Sequence, residues 1–227
     1  MSNFITNLRA WLRRNWDSLW CSRHCGIEKI GEDSAWHVRT DLLRPGAVVI
    51  SGGVGRDVSF ELKLAQLGCR VFLFDPSPTG LETMNLAANQ HLNIEFIPMG
   101  LSERTDVYEF RRPVDKREGS YSSTLADTPT DIVSFRCVSV ADFVRERGLK
   151  SVDILKLDIE GFEYGVLRDV VRRGLRPAQV CVEFHDFLPG IPLLDTVKTI
   201  RLLHQSSWRI IYKNRCDFSF ALGRLLP

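Results

Sequence analysis

The feature that most limits how this chain can fold lies within residues 47–75: two apolar runs joined by a glycine-rich loop and a helix-spaced segment. Ala47-Val-Val-Ile50 reads as a short buried strand, and Ser51-Gly-Gly-Val-Gly-Arg-Asp57 as the loop. Val58 to Leu67 continues at helical spacing, and Gly68 stops it. Arg70 to Phe74 is a second strand, closing on Asp75-Pro76. A helical crossover between two strands makes them parallel neighbours. The expectation is an α/β domain whose ligands bind at the carboxyl ends of its strands.

The rest of the chain extends that unit. Leu81 to His91 reads as a helix, and Asn93 to Pro98 as a third strand opening onto Met99-Gly-Leu-Ser102. Val107 to Phe110 alternates like a small edge strand. Residues 111–131 are polar, a loop long enough to suggest that it borders the substrate pocket. Phe135 to Val140, a short helix to Arg147, and the apolar run Asp153 to Leu157 follow. Ala178 to Glu183 is a fifth parallel strand, and Leu193 to Gln205 a helix. Trp208 to Lys213 and Asp217 to Leu222 are joined so tightly that they must pair antiparallel. A boundary near residue 40 separates this domain, 41–227, from an N-terminal helical extension, 1–40.

Within the extension, residues 4–20 have an apolar stripe and hold three of the five tryptophans. They are expected to pack on the domain as a helix; a dimer contact or a peripheral membrane surface are the alternatives. Residues 21–44 read as a connecting segment, with Trp36 as a plug of the core. No apolar run approaches the roughly 20 residues of a membrane span, and Arg9, Arg13 and Arg14 interrupt any signal-peptide core. A net charge of +2 gives no case for a nucleic-acid partner. The six cysteines are scattered, as buried thiols in a reducing cytoplasm would be. Cys21 and Cys25 lack a second pair at zinc-finger spacing. The oligomeric state is left open.

The chemistry should sit where carboxylates meet strand ends. Asp158 closes the strand after Asp153, and Glu160 and Glu163 share a face if a helix begins there. The loop fails the dinucleotide pattern G-x-G-x-x-G, since counting from Gly53 its third glycine is Val58. S-adenosylmethionine needs no phosphate cradle. Gly53, Gly55 and Asp57 leave room for its amino-acid end, and Asp75 can accept from both ribose hydroxyls. Pro76, Leu101 and Asp158 complete the expected cofactor set. An acceptor hydroxyl must lose a proton, so a nearby base helps, and Glu160 and His185 are the candidates with Asp158 beside them. Lys156, mid-strand, should be buried and paired with Asp158 or Glu183. Asp158, Glu160, Glu183 and His185 are also a donor set suited to magnesium or manganese. Pairing with Lys156 is the reading preferred, and no metal is expected.

Lys156-Leu-Asp-Ile-Glu-Gly-Phe-Glu163, with Val166-Leu167 after it, resembles the signature segment of the FkbM-type methyltransferases. The likeness runs in element order from about Val48 to about Phe187 and includes Asp75 and the Glu183-Phe-His185 strand end. It implies a Rossmann-like methyltransferase fold with a C-terminal antiparallel hairpin, and S-adenosylmethionine as cofactor. It also implies methylation of a hydroxyl on a small molecule or sugar. The usual family loop is closer to D-x-G-A-N-x-G, so this chain resembles a divergent member, with Asp57 in place of the upstream acid. The rival readings are a nicotinamide-dependent oxidoreductase and a non-catalytic S-adenosylmethionine-binding protein.

Overall fold

The computed structural model describes residues 26–112, 121–122 and 132–225. The tryptophan-rich stretch 4–20, Cys21, Cys25 and most of the polar segment 111–131 lie outside them. The described chain is built on a seven-stranded sheet. In chain order its strands are β3 (Val48–Gly52), β4 (Arg70–Phe74), β5 (Ile94–Ile97), β9 (Ile154–Leu157), β10 (Gln179–Glu183), β11 (Trp208–Asn214) and β12 (Asp217–Leu222). Their order across the sheet is β11-β12-β10-β9-β3-β4-β5. The five strands from β10 to β5 are parallel. β12 inserts antiparallel beside β10 and pairs back onto β11, which is the expected terminal hairpin. This is the Rossmann-like methyltransferase architecture.

Parallel strands of this kind are buried on both faces, and alternation assigns each side chain to one of them. Ile50, Phe72, Phe74, Leu155 and Leu157 face a core with α3 (Val140–Glu146), α4 (Glu163–Arg172) and α5 (Leu193–Gln205). Val49, Val71, Leu73 and Ile154 face the other, with α1 (Ser59–Gln66) and α2 (Pro78–Met84). Lys156 shares the side of Ile154, so its buried amine is on the α1 face.

Several elements differ from expectation. The segment read as a connector contains β1 (Ile27–Ile30) and β2 (Trp36–Arg39), an antiparallel pair. It packs on the α1 face, where Trp36 and Val38 are buried. Arg39 N–H donates to Gln179 Oε1 at 2.7 Å, and Gln179 Nε2 returns a bond to the Arg39 carbonyl at 3.1 Å. The helix expected at Leu81 to His91 starts earlier and ends at Met84. Ser77 Oγ accepts from Gly80 N–H and Pro78 opens the first turn, both favourable at a helix start. Residues 100–102, expected to be loop, form β6 (Gly100–Ser102). With β7 (Asp106–Arg111) and β8 (Ile132–Ser139), β6 makes a second sheet in the order β6-β8-β7. Among the described residues no helix is long and apolar enough to cross a membrane.

Candidate active site

The carboxyl ends of β4, β3 and β9 lie side by side on one rim, tied by two backbone bonds. Gly53 N–H donates to the Phe74 carbonyl at 2.9 Å, and Asp158 N–H to the Gly52 carbonyl at 3.1 Å. The chain turns at Gly53 with φ of +87°, and a Cβ there would stand 1.9 Å from the Asp158 carbonyl oxygen. Only glycine fits so close an approach. Lys156 Nζ donates to the Gly53 carbonyl at 2.6 Å and stands 3.7 Å from Asp158 Oδ2. The expected pairing with Asp158 is therefore present, but the loop carbonyl is the nearer partner.

Asp75 is buried at the tip of β4. Its Oδ2 accepts from Val54 N–H at 2.9 Å and its Oδ1 from Ser77 N–H at 2.7 Å. Each oxygen keeps a lone pair for another donor. Asp75 is packed so tightly by α2 that a Cβ on Gly80 would come within 2.5 Å of its carboxyl carbon.

These tips open on a cavity of about 430 Å³, within the range of small-molecule sites. Of the residues singled out in the sequence, Gly53, Gly55, Asp75, Pro76, Leu101, Asp158 and Glu160 line it. Asp57 and His185 are not among the lining residues. Asp57 instead holds the turn of the β1–β2 hairpin, accepting from Ser34 N–H at 2.7 Å and from the Ser59 N–H and hydroxyl at 2.8 and 2.9 Å. Burial pushes its carboxyl up, yet these bonds prevail and hold it below the usual carboxylate range. Its carboxylate is engaged with the hairpin turn and the first turn of α1. Sequence reasoning missed Ser34, Phe74, Ser77, Phe110 and Ile159, and Phe162. Ser77 carried a signal, because serine before proline marks a helix start; Ser34 arrives from a distant hairpin and carried none. Tyr121, from the long polar segment, also lines the cavity.

Behind Asp158 lies a crowded acidic cluster. Glu160 sits in a left-handed turn, φ of +52°, before α4, so it does not share a helical face with Glu163 as expected. Glu163 is fully buried and accepts from Gly161 N–H at 2.8 Å and His185 N–H at 3.0 Å. The His185 ring is buried, with Nδ1 3.3 Å from Glu163 Oε1 and Nε2 3.4 Å from Glu160 Oε2. Burial pulls its pKa down, but the bond to Glu163 and the charges of Glu163, Glu160 and Asp158 outweigh it and raise it to about 9. The ring is thus tied to Glu163 behind Asp158, away from the residues that line the cavity. Burial, and then the charge of Asp158, push Glu183 up to about 8.

A family model of the methyltransferase FkbM domain matches residues 46–218, about three quarters of the chain. The chain belongs to the FkbM methyltransferase family. No curated protein sequence matches it. Among solved structures it is similar to Aeropyrum pernix fibrillarin in complex with natively bound S-adenosyl-L-methionine. That likeness has 12% identity and a TM-score of 0.43, over 88% of this chain and 83% of that one. The Methanococcus jannaschii fibrillarin pre-rRNA processing protein is similar at 9% identity and a TM-score of 0.42, over 89% and 85% of the two chains. At that distance neither bears on the site.

The FkbM domain's cofactor is S-adenosylmethionine and its reaction is methyl transfer. The rim fits that cofactor. Gly53 and Gly55 expose backbone without side chains, and nothing lies within 4 Å of where a Cβ on Gly55 would be. Asp75 offers its remaining lone pairs to a diol, and Phe74, Leu101 and Ile159 give an apolar wall.

Proposed function

We propose that this FkbM domain methylates a hydroxyl oxygen of a small molecule or sugar. In this reading Gly53, Gly55, Asp75, Pro76, Leu101 and Asp158 hold the cofactor, and Glu160 serves the acceptor. The observation that carries it is Glu160 itself. A non-glycine residue at φ of +52° bears backbone strain on the order of 1–3 kcal/mol, of a kind that clusters at functional sites. That turn keeps a carboxylate on the cavity wall beside Asp158.

S-adenosylmethionine, when bound, supplies an electrophilic methyl group on a sulfonium. The protein's own part is to align the acceptor oxygen for in-line attack and to exclude water. Glu160 accepts the hydroxyl proton as the oxygen attacks. Asp158 holds negative charge at the point where the two substrates meet.

The test is transfer of labelled methyl groups to panels of hydroxyl and amine acceptors. Hydroxyl acceptors should be methylated, and Glu160→Gln should lower turnover by about 100-fold or more while binding S-adenosylhomocysteine normally. Transfer to amines alone, or full turnover by Glu160→Gln, would overturn this reading.

A further inference from the structure

We propose that Asp158, Glu183 and His185 hold a hard divalent cation, of the manganese or magnesium class, against the wall of the cofactor cavity. Its role, to activate the acceptor, rests on the hydroxyl reading above; its binding does not.

Three elements deliver the ligands: the end of β9, the last residue of β10 and the segment after it. One donor atom from each lies within 4.8 Å of the other two. A cation with ligands at about 2.0–2.6 Å spans that separation. Two carboxylates and an imidazole are donors for manganese or magnesium rather than for thiolate-seeking metals.

His185 supplies an independent observation. It is 2% exposed, and the carboxylate oxygens at its Nε2 stand at 3.4 and 3.7 Å, longer than an ordinary hydrogen bond. Nε2 points between Asp158 Oδ1, at 3.7 Å, and Glu160 Oε2. The other face of the ring is held by Glu163 through both Nδ1 and the backbone N–H. A carboxylate that ties one ring nitrogen and leaves the other facing a donor cluster is the usual setting of a metal-ligating histidine.

Charge points the same way. Asp158, Glu160, Glu163, Glu183 and Asp217 crowd about one imidazole. Lys156, the nearest ammonium, already donates to the Gly53 carbonyl and also acts on buried Glu61. The expected pairing of Lys156 is met at Asp158, 3.7 Å away, which leaves one ammonium for a cluster of five acids. Carboxylates in such excess, Glu163 buried and the other four half-buried, are costly without a cation.

A cation here would polarise an acceptor hydroxyl. The proton passes to Glu160, the oxygen–methyl bond forms as the sulfur–methyl bond breaks, and the sulfide leaves with the electron pair. The test starts from the full chain stripped with chelator and titrated with manganese chloride. Bound ion is read from loss of the free-ion electron paramagnetic resonance signal, and S-adenosylhomocysteine binding is measured on the same samples. We expect one tight manganese per chain. Glu183→Gln should bind it about tenfold more weakly or worse, and Glu163→Gln about 10- to 100-fold more weakly. Both variants should still bind S-adenosylhomocysteine, and His185→Gln replaces either one that does not. Cofactor binding without manganese uptake in the unaltered protein, or equal uptake by the variants, overturns the cation site. Loss of S-adenosylhomocysteine binding in the unaltered protein would instead count against the cofactor reading.

Discussion

Asp75 shows how much one side chain in this site does. Its two oxygens organise the glycine loop through Val54 and the start of α2 through Ser77, and the remaining lone pairs face the cavity. Asp75→Ala should weaken S-adenosylhomocysteine binding by about 1–3 kcal/mol, measured by calorimetry; unchanged affinity would mean that the ribose lies elsewhere. The cysteines are a contrasting case, inert by position. Burial pushes the Cys69 thiol up to about 11 and those of Cys137 and Cys181 up to about 12. The reactive thiolate is then scarce near neutrality. Alkylation of the native protein at pH 8, mapped by mass spectrometry, should leave these three unmodified until denaturant is added.

The β1–β2 hairpin is the element that sequence periodicity did not reveal. Its strands are only four residues each, and their pattern is too short to separate from loop. What makes them an element is docking: Asp57 and the Ser59 hydroxyl receive the backbone of Ser34 and Glu32, and Gln179 receives that of Arg39. The turn thereby brings Ser34 to the cavity. Asp57→Ala removes the acceptor that serves both the hairpin turn and the first turn of α1. It should lower stability by about 0.5–2 kcal/mol in urea denaturation, as loss of a helix cap does. S-adenosylhomocysteine affinity should change little; a large loss would restore Asp57 to the cofactor site.

At the scale of the molecule, the sheet order matters more than any motif. Placing β3 between β4 and β9 brings the glycine loop, Asp75 and Asp158 to one rim, although 83 residues separate the two acids in sequence. Inserting β12 beside β10 brings Asp217 opposite Glu183 and deepens the acidic cluster. The far end of that arrangement is anchored by Trp208, fully buried, whose Nε1 donates to the Pro177 carbonyl at 2.9 Å. Trp208→Ala should cost about 3–5 kcal/mol in chemical denaturation, and a loss under 1 kcal/mol would show that the hairpin is not part of the cooperative core.

The sequence by itself determined the alternation of strands and helices, the parallel sense of the central five strands, and the acids that end them. Each depends on local periodicity and on short-range rules of chain connection. The signature segment also carried the family. Tertiary structure alone decided that His185 is tied to Glu163 behind the cavity and that Asp57 serves the hairpin. It also gave Lys156 the loop carbonyl of Gly53 as its nearest partner, ahead of Asp158. Those outcomes depend on which buried polar groups meet across the fold, and on the low-dielectric surroundings they share. A one-dimensional pattern does not encode such meetings, because each partner is chosen by packing between segments tens of residues apart.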